Sequence, residues 1–208
     1  MTQIKATYVD HMGSDLSVVN AARVSFGKHH TEMTAGDTKL IKYLAKHKHL
    51  SPFGHAFASF HVSCPIFVGR QLVKHSYLRW NEVSRRYVST PPEFYEPDVW
   101  RGQAQDKKQG SAGVVADVNI KTTQRLVGML YEDLLAQGVC EEQARMVLPQ
   151  NTMTEWYWSG SLDAFASMCK LRCATDTQVE TQDVAWQIYW VMEELYPVSW
   201  AALMEDQY

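Results

Sequence analysis

The chain contains no P-loop, no dinucleotide-binding fingerprint and no serine-hydrolase elbow; Gly13, Gly27, Gly36, Gly54 and Gly69 stand in no phosphate-cradling pattern. Any nucleotide or flavin must therefore be held by side chains. Internal repeats and apolar runs of membrane length are also missing. The opening MTQIKATYVD lacks the pattern of a secretory signal, and Cys64, Cys140, Cys169 and Cys173 form neither a CxxC pair nor a disulfide framework. A reducing, cytoplasmic setting is expected, in a host cell if the source is a virus. With a net charge of −3 and a pI near 6.2, no global basic field exists to hold nucleic acid or an anionic membrane. His47, His49, His55 and His61 match no zinc spacing, so no metal is expected.

At 208 residues the chain is long enough for one domain, 1–208, with a real core. Its most informative stretch is Arg70–Tyr87, RQLVKHSYLRWNEVSRRY. There Arg70, Lys74, Arg79, Arg85 and Arg86 face a single acid, Glu82, whereas a solvated charged face mixes signs. Arginine forks grip phosphate through paired charge-assisted hydrogen bonds, so the run reads as a local anion site of nucleotide size. A solvated basic helix is the plainer alternative. Seven tryptophans and ten tyrosines suit either a large subunit interface or a flat ring to be covered.

Helices predominate. The patterns predict a helix over 14–26 capped by Ser14 or Asp15, and a second capped by Asp37 and running to about His47. AFASFHVSC (56–64) alternates as a half-buried strand. Pro65 then opens a helix that places Gln71, Lys74 and His75 on one face, before a turn near Tyr77–Asn81. Residues 97–116 read as a mobile excursion. Further helices are expected from Asp117 to Gln137, over 141–148, from Ser161, and from a capping box at Thr177–Glu180 to Tyr196. The class is α+β: helices packed around a small, antiparallel-containing sheet.

Arg172 continues the apolar stripe Leu162, Phe165, Cys169, which directs its guanidinium inward. A buried arginine needs an acceptor: a carboxylate of the protein, or a ligand carbonyl or phosphate. Arg145 is similar, although Glu141 and Glu142 lie close by in sequence.

These residues resemble the flavin-dependent thymidylate synthases, the ThyX family, whose signature is Arg-His-Arg, seven residues, then Ser. Lys74-His75-Ser76 takes the triplet and Ser84 lands in place within Asn81-Glu82-Val83-Ser84-Arg85-Arg86-Tyr87. Ala21–Phe26, His49–His55, Pro65–Gln71, Glu93-Phe94-Tyr95, Trp100-Arg101, Lys108–Ser111, Ala144–Pro149 and Leu171-Arg172 also agree, in order. The resemblance implies the ThyX fold and a homotetramer with active sites between subunits. It also implies FAD, a pyrimidine deoxynucleotide monophosphate (dUMP in the family), methylene-tetrahydrofolate as carbon donor and NADPH as reductant. The nucleotide positions it gives are Gln71, Glu82, Ser84, Arg85, Arg86, Arg145 and Arg172. Arg86 and Arg145 would grip phosphate, with Ser84 and Arg85 helping, and Arg172 would polarise the O2/N3 edge of the base. Arg172, Ser84 and Glu82 are the implied catalytic set. His49, Ser51, Lys74, His75, Ser76, Arg79 and Asn81 are the implied cofactor positions.

The departures concentrate on the flavin side. Lys74 and Ser76 replace the signature arginines, and Ser161, Asp163, Ser167 and Asp176 stand where the family places Asn, Arg, Asn and His. Asp163 and Asp176 would bring negative charge toward a pyrophosphate. Either other groups, Arg79 among them, hold FAD, or the flavin dependence has changed. The second course gives a flavin-independent or flavin-altered dUMP or dCMP hydroxymethylase or methylase, with Cys173 beside Arg172 as a candidate nucleophile. A nucleotide-binding subunit without catalysis is the alternative from another class.

Overall fold

The computed structural model describes residues 3–105 and 110–205. Its elements run β1 (Lys5–Met12), α1 (Asp15–Arg23), α2 (Ala35–Lys46), β2 (Phe57–Pro65), α3 (Ile66–Leu72), β3 (Leu78–Glu82), β4 (Trp100–Gln103) and β5 (Ser111–Val115). There follow α4 (Lys121–Ala136), α5 (Glu141–Ala144), β6 (Met153–Ser161), α6 (Leu162–Arg172), α7 (Val179–Leu195) and α8 (Pro197–Met204). The class is α+β, as expected. An antiparallel sheet in the order β1-β2-β6-β3 carries the core, and β4-β5 form a separate ribbon. No helix among the described residues is long and apolar enough to cross a membrane.

β2 behaves as its alternation predicts: Ala58, Phe60, Val62 and Cys64 are buried. Its partner β6 was not anticipated. Trp156 and Trp158 of β6 point to the same face, in register with Val62 and Phe60, while Glu155 and Tyr157 point away. Trp80 of β3 stacks on Trp156 with centroids 3.9 Å apart, and Phe165 of α6 meets Phe60 edge-on at 5.2 Å. Aromatic pairs in these geometries add about 0.5–1.5 kcal/mol beyond the area they bury. Gly160 permits the close β3 approach, because a Cβ there would strike the Leu78 side chain and come within 3.1 Å of the Tyr77 carbonyl oxygen.

Several boundaries differ from expectation, each for a local reason. Thr34, not Asp37, caps α2. Asp37 is the reciprocal member of the capping box, accepting from the Thr34 N–H at 3.0 Å, and it is fully buried between Arg23 (2.6 Å) and His30 (2.9 Å). Pro65 is the residue before the first turn of α3, and α3 stops at Leu72. Lys74 and His75 therefore lie beyond it, where the His75 N–H returns to the Leu72 carbonyl at 3.1 Å. The expected turn at Tyr77–Asn81 is mostly strand β3. Helix α4 begins at Lys121, after Asp117 in a left-handed conformation (φ 59°). The capping box at Thr177 does not form: Gln178 precedes α7, the Thr177 hydroxyl donates to the Leu171 carbonyl at 3.0 Å, and Glu180 instead meets Arg101 at 2.5 Å. That ion pair helps hold the ribbon that replaces the expected excursion over 97–116. Lys108 and Gln109 of the family-like Lys108–Ser111 stretch lie outside the described residues.

Asp15 on α1 accepts from the Val198 and Ser199 backbone N–H groups at 3.0 and 2.8 Å, so a first-helix carboxylate closes the N-terminus of α8. The Tyr196 hydroxyl lies 2.7 Å from the Phe57 carbonyl oxygen and 3.0 Å from that of Met12. These contacts tie α8 to α1 and the end of α7 to β1 and β2, and α6 ends at Arg172.

Candidate active site

The last turn of α6 presents Arg172, half-buried. Its Nε donates to His75 Nε2 at 2.9 Å and its Nη2 to the Gln71 carbonyl at 3.1 Å. Burial, then the neighbouring guanidinium, bring His75 down to a pKa of about 4, so at neutral pH the imidazole is uncharged and accepts. Both partners of Arg172 are thus neutral. No carboxylate among the described residues pairs with it. The plain alternative, a buried Arg–Glu pair, is not what the fold builds; an uncompensated cation is. The Gln71 side chain donates to Gln178 Oε1 at 2.6 Å, which fixes the end of α3 against the start of α7.

A second group lies along β3 and the turn after it. The Thr154 hydroxyl donates to one Glu82 oxygen at 2.6 Å and the Trp80 indole N–H to the other at 3.1 Å, holding the carboxylate in one orientation. Ser84 organises the turn: its hydroxyl accepts from the Arg86 N–H at 3.3 Å and its carbonyl from the Tyr87 N–H at 3.0 Å. Arg85 donates to the Thr90 carbonyl at 2.9 Å and lies 6.0 Å from the Tyr131 ring. Arg86 is exposed, 5.1 Å over the Tyr87 ring. Arg145 is also exposed; its Nε donates to the Glu142 carbonyl of its own turn at 3.3 Å. Within one protomer the structure brings Gln71, His75 and Arg172 together and Glu82, Ser84 and Arg86 onto one strand-turn unit. Among the described residues no hydrogen bond or ion pair joins these two groups, or joins either to Arg145. Thr154, Trp80 and Gln178, which set the orientations, carried no sequence signal.

On the cofactor side, His49 is exposed with its ring 6.2 Å from that of Tyr43, and Ser51 begins a short 3-10 turn (Ser51–His55). Lys74, Ser76, Arg79 and Asn81 are exposed. A cavity of about 610 Å³ between α2 and α6 is lined by Lys42, Lys46, Lys48 and Lys170 together with Asp163, Glu205 and Ser167. The charge that Asp163 was expected to carry toward a pyrophosphate is therefore outnumbered by lysines. Asp163 itself sits in the first turn of α6, where an acid is favoured by the helix dipole. This donor set fits an anionic dinucleotide. The lysines were legible only as Lys42 and Lys46, one turn apart on α2.

Cys173 caps α6 and is half-buried. Contact with the Cys169 thiol lowers its pKa against the opposing effect of burial, while burial raises that of Cys169.

Comparison with known proteins agrees with this geometry. The family model described as thymidylate synthase complementing protein matches residues 7–198. A flavin-dependent thymidylate synthase of Thermus thermophilus is 42% identical over 201 residues, covering 95% of this chain and 74% of the relative. That of Kosmotoga olearia is 38% identical over 207 residues, covering 96% and 90%. The solved structure of the UMP/dUMP methylase PolB from Streptomyces cacaoi, bound with 5-Br dUMP, superimposes with a TM-score of 0.89 at 32% identity, covering 99% of this chain and 97% of that one. With a match across nearly its whole length and a neutral-liganded arginine at the end of α6, the chain belongs to the flavin-dependent thymidylate synthase family and is a methyltransferase enzyme.

Proposed function

We propose that the protein transfers a one-carbon unit from methylene-tetrahydrofolate to C5 of dUMP, giving dTMP, with FAD as cofactor and NADPH as reductant. The observation that carries the reading is Arg172: a preorganised cation whose only partners among the described residues are a neutral imidazole and a backbone carbonyl. Such a group is matched to an anionic or anion-developing ligand rather than to the protein.

Arg172 lies along the O2/N3 edge of the pyrimidine. The electron pair that C5 gives to the carbon donor is drawn from the ring, so the guanidinium acts before that attack, holding the negative charge of the electron-rich ring at the O2/N3 edge. His75, uncharged, orients Arg172 without neutralising it. Glu82, fixed by Thr154 and Trp80, is an oriented acceptor for the nucleotide, and the Ser84–Arg86 turn with Arg145 receives the phosphate. Arg86 and Arg145 are exposed in the single protomer, and Tyr77, Phe26, Met146 and Leu126 are 83%, 80%, 79% and 60% exposed. Apolar surface of that extent supports assembly, with the site completed between subunits of a homotetramer. Lys42, Lys46, Lys48 and Lys170 would hold the pyrophosphate of FAD, whose chemistry when bound would be the supply of hydride for the methyl group.

The test is purification followed by flavin absorbance and tritium release from [5-³H]dUMP. A yellow protein that releases tritium only with methylene-tetrahydrofolate and NADPH supports the reading; failure to bind dUMP overturns it. The lowered Cys173 thiol next to Arg172 favours one second reading, a thiol-dependent methylase or hydroxymethylase of dUMP or dCMP. Loss of tritium release in Cys173→Ser, with nucleotide binding intact, would select it.

A further inference from the structure

A cavity of about 410 Å³ lies where Ile4 and the Tyr95–Asp98 segment come up against α7. That volume suits a small ligand. Part of its wall is aromatic: Trp186 and Trp190, one turn apart on α7, stack with ring centroids 5.8 Å apart and planes 26° from parallel. Buried Tyr189 meets both rings at 5.1 Å, yet Trp190 is still 58% exposed. Gln187 ties this wall to the sheet. Its Oε1 accepts from the Ala6 N–H at 2.9 Å and its Nε2 donates to the Ile4 carbonyl at 3.3 Å. None of the residues placed at the nucleotide or the flavin lines the cavity.

Three carboxylates, those of Glu96, Asp98 and Asp183, share the lining with the two indoles. Among the described residues none of the three forms an ion pair, and no lysine or arginine lines the cavity. Burial and then the Glu180 charge raise the Asp183 carboxyl against the opposing pull of Arg101, so the negative potential is only partly compensated within the protein. The carboxylates are not gathered for a metal ion. No group of three His, Cys, Asp or Glu side chains among the described residues is close enough to hold one. Separated carboxylates beside indole faces call for an extended ligand, with positive charges spaced along an apolar chain. Aromatic faces attract ammonium groups and pack methylenes, so the two features select the same chemistry.

We propose that this cavity binds a linear aliphatic polyamine. Its ammonium groups donate charge-assisted hydrogen bonds to Glu96, Asp98 and Asp183, and the methylenes between them lie over Trp186 and Trp190. A ligand so placed bridges α7 to the segment that leads into β4. It therefore stabilises the native protein by mass action, more so as its concentration rises.

The experiment is calorimetric titration of the full chain with spermidine at physiological ionic strength, where attraction between distant charges is screened. Propylamine, with one ammonium group, and magnesium chloride, a compact counterion, serve as matched probes. Spermidine should bind about tenfold tighter than propylamine or better, and magnesium should not displace it. Asp183→Asn keeps the shape of the wall and removes one charge; it should weaken spermidine about fivefold. Trp190→Ala removes an exposed ring and should weaken it by about the same factor. The inference is overturned if spermidine does not bind, if propylamine binds as tightly, or if magnesium displaces it at equal ionic strength. Wild-type affinity in the folded Asp183→Asn and Trp190→Ala proteins overturns it as well.

Discussion

Arg172 Nε donates to His75 Nε2 at 2.9 Å across 97 positions of sequence, joining the end of α6 to the segment after α3. The pair places a permanent charge beside a base that stays neutral, so the guanidinium keeps its full electrostatic reach.

Arg172→Ala removes that charge. Turnover should vanish, and dUMP affinity should fall by about 2 kcal/mol, or roughly 30-fold, the range for a hydrogen bond to a charged group. Arg172→Lys should not restore it, because an ammonium cannot bond His75 and Gln71 while also presenting a fork. Equilibrium dialysis with labelled dUMP checks both; wild-type affinity in the alanine variant would remove Arg172 from the site.

His75 should titrate near pH 4 in the folded protein against about 6.5 in the unfolded chain. Between those values the unfolded state binds more protons, so stability falls as the pH drops from about 6.5 to about 4 and is flat in this respect above and below. Burial is the larger cause, so Arg172→Ala should raise the His75 pKa only part of the way back. Imidazole chemical shifts followed by NMR read the curve directly.

Lys42→Gln with Lys46→Gln should lower the flavin retained after gel filtration and steepen its loss with added salt, since lysines bind phosphate as point charges and are screened. Absorbance near the flavin maximum measures it. Unchanged flavin content would place the cofactor elsewhere.

Asp37→Asn should destabilise the fold by about 3 kcal/mol, the scale for breaking a buried charge pair from one side. Burial alone would raise the Asp37 carboxyl, but bonds from Thr34, His30 and Arg23 hold it well below the usual carboxylate range. A depressed carboxyl stabilises above its unfolded pKa, about 3.9, and loses that contribution as the pH falls further. The difference between variant and wild type in urea melts should therefore shrink below about pH 4.

What was readable in the sequence followed from how each signal is generated. β2 announced itself because one face is dry and the other wet. β1 could not, because most of its residues are exposed at the sheet edge and no alternation appears. β6 carries alternation in Trp156 and Trp158, yet it lies between Pro149 and a helical stripe, where short apolar runs are ambiguous. Arg172 was legible as an inward cation, but its partner His75 was placed on a helix that ends three residues earlier. The lysine-lined cavity and the cavity beside Trp186 and Trp190 are formed by elements far apart in sequence, and no local pattern reports them.

Asp15 closes the first turn of α8 from 183 positions upstream. During synthesis that carboxylate waits, solvated, until Val198 and Ser199 have left the ribosome. Much of the molecule's contact energy is thus deferred to one late docking event, and intermediates lacking α8 will expose the α2 surface it covers. Chaperone dependence and temperature-sensitive yield should track this junction more closely than the catalytic residues.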